Sequence, residues 1–349
     1  MSIALIAQSA NVPYATAWRI INNRTVNSPE AVEAVQAAMR RMKYVPRTTR
    51  RGRPPKTADG IRTHNIALLH LREGTPLSSE VLAAVQKRLL ERNMNLIFAQ
   101  VDQPDALPQA VKAGNVDGIL GYGAFPDKAV TPALLRVPAV WLMSRSDDAP
   151  DAWGDRVRPD HVAIGRLAGH YLLERGHRHV AYFNPRPGMI LYDERGYQFS
   201  RVINDKLGSV EVFNGEPDQP NTPESEWIDV AAERLASQWL ASEKRPAAVF
   251  CPVDRLTARI YACLARAGII PGRDVEIVSC DNQTDLLGIL QPRPASIDLN
   301  RTTIARLAVD RLFWRMRHGM TSPSIVVTVT PTLKNAGGRA DSKAPGNAS

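Results

Sequence analysis

The chain has 349 residues, 44% of them hydrophobic and 23% charged, with 44 Lys/Arg against 35 Asp/Glu for a net charge of +9. That length holds two or three domains with a sizeable core. No run approaches the ~18–20 apolar residues of a membrane span, and Cys251, Cys263 and Cys280 are too few and too scattered for a disulfide framework or a zinc site; a membrane protein and a disulfide-rich secreted domain are excluded.

Charge is concentrated at the start. Residues 1–60 hold ten Lys/Arg and three acids, a net of +7, leaving +2 for the other 289. A basic head on a near-neutral body is the footprint of a polyanion-binding arm, although a solvated basic tail has the same charge. The head also shows none of the basic start, apolar core or cleavage site of a secretory signal, so a cytoplasmic location is expected. Ile3, Ile6, Ala7 and Ala10 share one face of a first helix. Asn11-Val12-Pro13 interrupts it, Asn tolerating a left-handed turn and Pro suiting a helix start. A second helix over 14–22 buries Ala17, Ile20 and Ile21. Ser28 then offers an N-cap before Pro29, and Val32, Val35, Met39 and Met42 stripe a third helix.

Helix, short turn, helix and closing helix make a helix-turn-helix module, although a small bundle that binds protein has the same pattern. Tyr14, Ala15, Trp18 and Arg19 point outward on the second helix. Arg19 can grip guanine through two hydrogen bonds, Tyr14 can reach a base or phosphate, and Thr16 can bond a phosphate. The stretch Ile3-Ala4-Leu5-Ile6-Ala7-Gln8-Ser9-Ala10-Asn11-Val12-Pro13-Tyr14-Ala15-Thr16-Ala17-Trp18-Arg19-Ile20-Ile21-Asn22, with the later Val26-Asn27-Ser28 and Met42-Lys43-Tyr44-Val45-Pro46, resembles the start of the LacI/GalR family of bacterial transcription regulators. The resemblance implies a recognition helix over 14–22 and DNA contacts from Tyr14, Ala15, Thr16, Arg19 and Asn22. Asn11, Pro13 and Trp18 depart from the Gly, Ser and Ser usual there, and Ala15 has only an apolar contact to offer, such as a thymine methyl.

Between Pro46 and Ile61 the family usually forms a hinge helix that wedges an apolar residue into the minor groove. Here Ala58 is the only apolar side chain, and Gly52, Pro54 and Pro55 oppose a helix. Arg51-Gly52-Arg53-Pro54 instead looks like the core of an AT-hook. Gly lets the backbone approach the groove floor, and Arg51 and Arg53 suit the narrow, negative groove of A·T-rich DNA. A generic basic linker on phosphates is the plainer alternative.

From Asn65 onward strands and helices alternate. Strands are expected at 65–71, 95–101, 118–121, 138–143, 179–183, 247–251 and 275–280, and helices at 79–92, 107–113, 163–175 and 256–267. A β-branched strand follows at 324–329, and 335–349, rich in Gly, Ala and Ser, is expected to be disordered. Such alternation means parallel sheets flanked by helices, with ligands at the carboxyl ends of the strands. Gly118–Gly123 lacks a dinucleotide fingerprint, no G-K-[ST] occurs, and no cofactor is expected. His177 reads as a turn histidine, and Cys251 and Cys280 as buried small apolar residues.

The body is similar to the effector domain of the same family along Val137-Pro138-Ala139-Val140, Arg158-Pro159-Asp160-His161 with Gly165, Arg175-Gly176-His177-Arg178-His179-Val180-Ala181, Arg195-Gly196-Tyr197, Ala247-Ala248-Val249-Phe250 with Asp254, and Val275-Glu276-Ile277-Val278-Ser279-Cys280-Asp281-Asn282. This implies an all-α helix-turn-helix head plus an α/β, two-lobed, periplasmic-binding-protein-like domain with Rossmann-like parallel sheets. Arg195 and Asp281 are the expected partners of a polar effector, although an ion pair across the lobes would also employ them. Trp141 could stack on a sugar, and Asp254 completes the ligand set. Met143, Val253 and Arg301 replace the Asp, Asn and aromatic residue common in the family.

The domains expected are 1–46 (DNA binding), 47–62 (basic AT-hook-like linker), 63–333 (effector binding and dimerisation) and 334–349 (tail). The function implied is a homodimeric, sequence-specific transcription regulator, with repression as the expected sign. It would bind a double-stranded operator with an A·T-rich centre and answer to a small polar effector such as a sugar or sugar derivative. No nucleophile–base–orienter set stands out, so no enzyme is expected. The alternatives are an architectural or constitutive repressor without effector and, more remotely, a sugar-binding protein of a transport system.

Overall fold

The computed structural model describes residues 3–21, 28–42, 44, 60–71, 77–101, 106–123, 131–143, 153–217, 224–319 and 323–335. It divides into two compact units, Met1–Pro55 and Lys56–Ser349.

The first unit is three helices: α1 (Ile3–Ser9), α2 (Tyr14–Ile21) and α3 (Pro29–Arg41). Ile6, Ala7, Ala17, Val35 and Ala38 are buried at its centre, with Ile3, Val12, Ile20, Ile21, Met39 and Met42 packed round them. These are the apolar positions that set the helical period. Asn11 takes φ +49° in the turn between α1 and α2, the conformation in which Gly or Asn is least strained. The Pro13 carbonyl accepts from Thr16 and Ala17 to open α2. Ser28 caps α3 by accepting from the Ala31 amide at 3.2 Å, with Pro29 behind it. Arg41 on α3 donates to Ser9 at the end of α1.

The second unit carries, in order, β1 (Asn65–Leu71), α4 (Ser79–Leu90), β2 (Asn95–Val101), α5 (Gln109–Lys112), β3 (Gly118–Gly123), α6 (Thr131–Leu134), β4 (Ala139–Leu142) and β5 (Asp155–Pro159). Then come α7 (His161–Glu174), β6 (His179–Asn184), α8 (Ile190–Asn204), β7 (Ser209–Asn214), α9 (Glu224–Leu240), β8 (Ala248–Phe250), α10 (Asp254–Arg266), β9 (Glu276–Cys280), α11 (Thr284–Leu287) and β10 (Ala295–Asp298). The chain ends with α12 (Arg301–His318), β11 (Val326–Val329) and β12 (Thr332–Lys334). Expected strands and helices stand where periodicity placed them, with ends moved by a few residues. Sequence pattern did not reveal β5, α6, α8, β7, α9, α11, β10, most of α12 or β12.

Two six-stranded sheets result, ordered β11-β5-β4-β3-β1-β2 and β12-β10-β9-β8-β6-β7. Every pairing is parallel except β10 with β12. Each lobe is therefore one doubly wound sheet plus a strand from the C-terminal segment. Both faces of each sheet are covered, which is why the inner strands read as continuous apolar runs. In the first lobe Ile66, Leu68, Leu120, Val140 and Leu142 meet α4 and α12 on one face. Ala67, Leu69, Ile119, Ala139 and Trp141 form the core on the other.

The chain crosses between lobes three times, after β5, after β10 and after β11. Hydrogen bonds bind these crossings together. The Asp160 amide donates to the Val329 carbonyl at 3.1 Å. Asn300 donates through Nδ2 to the Thr330 carbonyl at 2.7 Å, and its amide donates to Asp298 Oδ1 at 2.8 Å. Asp160 also caps α7, accepting from the Ala163 amide at 2.9 Å.

Candidate functional site

Strand ends build the principal cavity. Its volume is about 1020 Å³, and its wall includes Tyr122 and Gly123 ending β3, Met143 after β4, Val253 after β8, Asp281 and Asn282 after β9, and Leu299 after β10. The carboxyl ends of both sheets thus open on one space, the expected place for a ligand in doubly wound folds. Met143, Asp281, Asn282 and Asn300 all adopt positive φ here. Such backbone is costly for non-glycine residues and persists where the surroundings over-determine it, as at ligand sites.

Arg195, on the cavity wall, is 4% exposed. The second turn of α8 carries it under His161, the first residue of α7. Its Nη1 donates to the Pro252 carbonyl at 2.5 Å, and Nε to His161 Nδ1 at 3.4 Å. Burial first, then the charges of Arg195 and Arg158, hold His161 well below its usual range, so its ring is neutral and Nδ1 is free to accept. Asp281, 8% exposed, lies on the same wall. Arg301 of α12 pairs with it across the lobes: Nη2 stands 3.4 Å from Oδ1, and Nη1 donates to the Asp281 carbonyl. Gln283 Nε2 approaches the other carboxylate oxygen at 3.5 Å.

The structure brings Arg195 and Asp281 into one cavity and leaves the other two expected ligand residues out of it. Trp141 is 1% exposed and belongs to the core on the far face of the first sheet. Strand alternation is the reason, because Val140 and Leu142 face α12 and the indole must point the other way. It packs over Gly121, edge-on to Trp153 at 5.3 Å, and donates to the Trp153 carbonyl at 2.6 Å. Asp254 is fully buried at the start of α10. It accepts from Ser279 at 2.5 Å, Ser296 at 2.9 Å and the Gln283 amide at 2.6 Å, so it braces the turn that presents Asp281. His161, Asn282 and Gln283 were missed as lining residues, and their position at strand ends and helix starts was the available signal, while Arg301, seen only as a departure from the family, also lines the cavity.

Burial first, and then the charge of Asp281, push the Asp254 carboxyl up to about 7. An acid whose folded pKa is raised favours the folded state when protonated. That stability is fully present below the unfolded pKa of ~4 and is lost as pH rises through about 7. Asp254→Asn is therefore expected to flatten the fall of melting temperature between pH 5 and 8, read by differential scanning fluorimetry; an unchanged slope would assign the fall to other groups.

On α2, Tyr14 is 56% exposed. Ala15 and Arg19 are exposed, and Thr16 and Trp18 are half-buried. Asn22, Arg51, Gly52 and Arg53 lie outside the described residues, as does the stretch 336–349. His177 sits in the turn before β6, its Nε2 2.9 Å from Glu276 Oε2 at the amino end of β9, remote from the cavity end of the strands. Cys251, Cys263 and Cys280 are free and buried, and burial pushes the Cys251 thiol up to about 12. Among the described residues no His/Cys/Asp/Glu group could hold a metal, and no helix is long and apolar enough to cross a membrane.

Two parallel lobes around a charged cavity define a binding-protein-type ligand domain, and residues 170–335 match the family model described as periplasmic binding protein-like domain. A curated relative, the HTH-type transcriptional repressor PurR of Erwinia tasmaniensis, is 26% identical over 293 residues, covering 79% of each chain. A structure of the transcriptional regulator CelR in complex with cellobiose superposes with TM-score 0.64 at 21% identity, covering 96% of this chain and 99% of that one. The lac repressor dimer bound to operator and the anti-inducer ONPF gives 0.62 at 19%, over 96% and 98%. In sequence the chain is thus similar to the repressor PurR, and in fold to LacI-type regulators.

Proposed function

We propose that the chain is a DNA-binding transcriptional repressor whose operator affinity is set by a small polar molecule, such as a sugar or sugar derivative, held between the lobes of its second unit. One observation carries the reading: a compact three-helix unit that leaves Tyr14, Ala15 and Arg19 outward on α2 shares a chain with a cavity walled by Arg195 and Asp281. The first is the geometry for base edges, and the second for a small ligand. The curated relative is a repressor by name, and the structural neighbours are a regulator holding cellobiose and a repressor holding operator. The reading extends to a non-enzymatic, cytoplasmic homodimer divided at 1–46, 47–62, 63–333 and 334–349.

Fluorescence anisotropy on duplexes from the neighbourhood of the coding region tests it. Arg19→Ala is expected to weaken the bound duplex by roughly tenfold to a hundredfold, the usual worth of a bidentate guanine contact. Changing Arg51 and Arg53 to Ala is expected to weaken A·T-centred sites more than G·C-centred ones, as minor-groove shape reading requires. Equal loss on both would reduce the linker to a phosphate contact. Wild-type protein that ignores every duplex at low salt would overturn the proposal. The ligand acts by population shift between lobe arrangements, so it must bind one more tightly than the other. Tight ligand binding with unchanged operator affinity would remove that coupling.

A further inference from the structure

The charges on the inner cavity wall do not balance. Two guanidinium groups, Arg195 and Arg301, are at least nine-tenths buried there, and one buried wall carboxylate, Asp281, faces them. Arg301 takes that carboxylate, by an ion pair at 3.4 Å and a second bond to the backbone oxygen of the same residue. Arg195 has only neutral acceptors, the Pro252 carbonyl and the unprotonated Nδ1 of His161, and its Nη2 has no hydrogen bond among the described residues. Asp254 stands behind the wall, its oxygens already taken by Ser279, Ser296 and the Gln283 amide. The Asp281 charge acts on Arg195 without a hydrogen bond to it; a buried cation with no directly bonded counter-charge is expensive, and a ligand that supplies one relieves the cost.

Leu191, Ile228 and Val253, with Met143, make part of the inner wall apolar, and Asn282 and Gln283 supply uncharged polar groups beside them. The carboxylate that would accept sugar hydroxyls is committed to Arg301. At the rim Arg255 and Arg259 stand beside Glu80 and Asp285, and Arg259 is already paired with Asp229 at 2.6 Å, so the uncompensated positive charge lies on the floor.

We propose that the effector of this chain is an organic anion whose carboxylate or phosphate is held by Arg195. The proposal rests on the reading that the cavity binds an effector, and it narrows the class. Charge-assisted hydrogen bonds are about twice as strong as neutral ones, so an anion should bind about tenfold to a hundredfold more tightly than a neutral molecule of the same shape.

The experiment titrates the full chain, by calorimetry at matched ionic strength, with glucose, glucuronate and glucose 6-phosphate, and with benzyl alcohol, benzoate and phenyl phosphate. In at least one set an anionic member is expected to bind about tenfold or more tightly than its neutral counterpart; which anion wins separates carboxylate from phosphate. Arg195→Gln should erase that preference. Asp281→Asn, which releases Arg301, should enlarge it, and so provides a second reading should the first variant fail to fold. Glucose or benzyl alcohol binding as tightly as its anions sinks the anion and leaves a cleft effector standing. No binding by any probe, with duplex binding intact, sinks both.

Discussion

Asp155→Ala is expected to lower the melting temperature by on the order of 10 °C, a loss of about 3–5 kcal/mol, because it removes the counter-charge that two guanidinium groups share in the first lobe. Asp155 is fully buried at the start of β5. Arg315 of α12 donates to it through Nε at 2.9 Å and through Nη2, Arg311 donates through Nε, and the Ile325 amide donates at 2.9 Å. One carboxylate thus joins β5, α12 and the segment leading to β11, which are far apart in sequence and adjacent in the lobe. Burial raises its pKa, but the hydrogen bonds from Arg315 and Arg311 outweigh burial and leave it below the ordinary value. A lowered folded pKa means stability that is present above the unfolded value of ~4 and disappears as pH falls through the folded one. Asp155→Asn imitates the protonated form. The gap in melting temperature between wild type and Asp155→Asn should hold constant above about pH 5 and close below ~4, measured by circular dichroism. A constant gap down to pH 2 would mean that the cost of the variant is steric.

The same cluster explains what sequence periodicity could and could not reveal. β1 was legible residue for residue because a parallel strand buried on both faces is an unbroken apolar run; β2, an edge strand partly open to solvent, was legible from its Leu-Ile-Phe-Ala run. β5 reads Asp-Arg-Val-Arg-Pro, and its inward residues include the very carboxylate that α12 neutralises. α12 carries Arg306, Arg311, Arg315 and Arg317, yet buries Ile304, Val309, Leu312 and Phe313 in the core. Its charged residues conceal a core helix because two of them, Arg301 and Arg315, are themselves buried beside partners unseen in the sequence. In the cavity, Arg195 and Asp281 were legible from family resemblance alone, Arg195 standing on a helix, α8, that periodicity did not reveal. Arg301 was legible only as a departure. That it would claim Asp281, twenty positions earlier, needed the crossing after β10 to bring α12 over β9. Trp141 was misplaced because a large aromatic near a strand end suggests a ligand, whereas its parity along β4 assigned it to the other face.

Gly165→Ala joins packing to ligand binding. α7 and α8 cross closely at Gly165 and Gly169, one helical turn apart. A Cβ at Gly165 would lie 2.2 Å from the Arg195 carbonyl oxygen and 2.9 Å from the Phe199 amide nitrogen. Both are backbone atoms of α8, so no rotamer change makes room and the helix itself must shift, at or above the upper end of the ~1–3 kcal/mol usual for overpacking. At Gly169 the Cβ would meet Val202 Cγ1 at 2.9 Å and Cβ at 3.0 Å, a side chain that can yield in part. Gly165→Ala should therefore melt lower than wild type by on the order of 5–10 °C, and lower than Gly169→Ala. The shift has a second consequence, because the displaced carbonyl belongs to Arg195. Its guanidinium is aimed by bonds to His161, on the opposing helix, and to Pro252, on a third element that α8 does not carry with it. Moving α8 away from α7 stretches the His161 contact, already 3.4 Å, past hydrogen-bonding range. Ligand affinity should fall further for Gly165→Ala than for Gly169→Ala at a temperature where both are folded. Equal affinity in the two variants would mean that Arg195 is positioned by Pro252 alone.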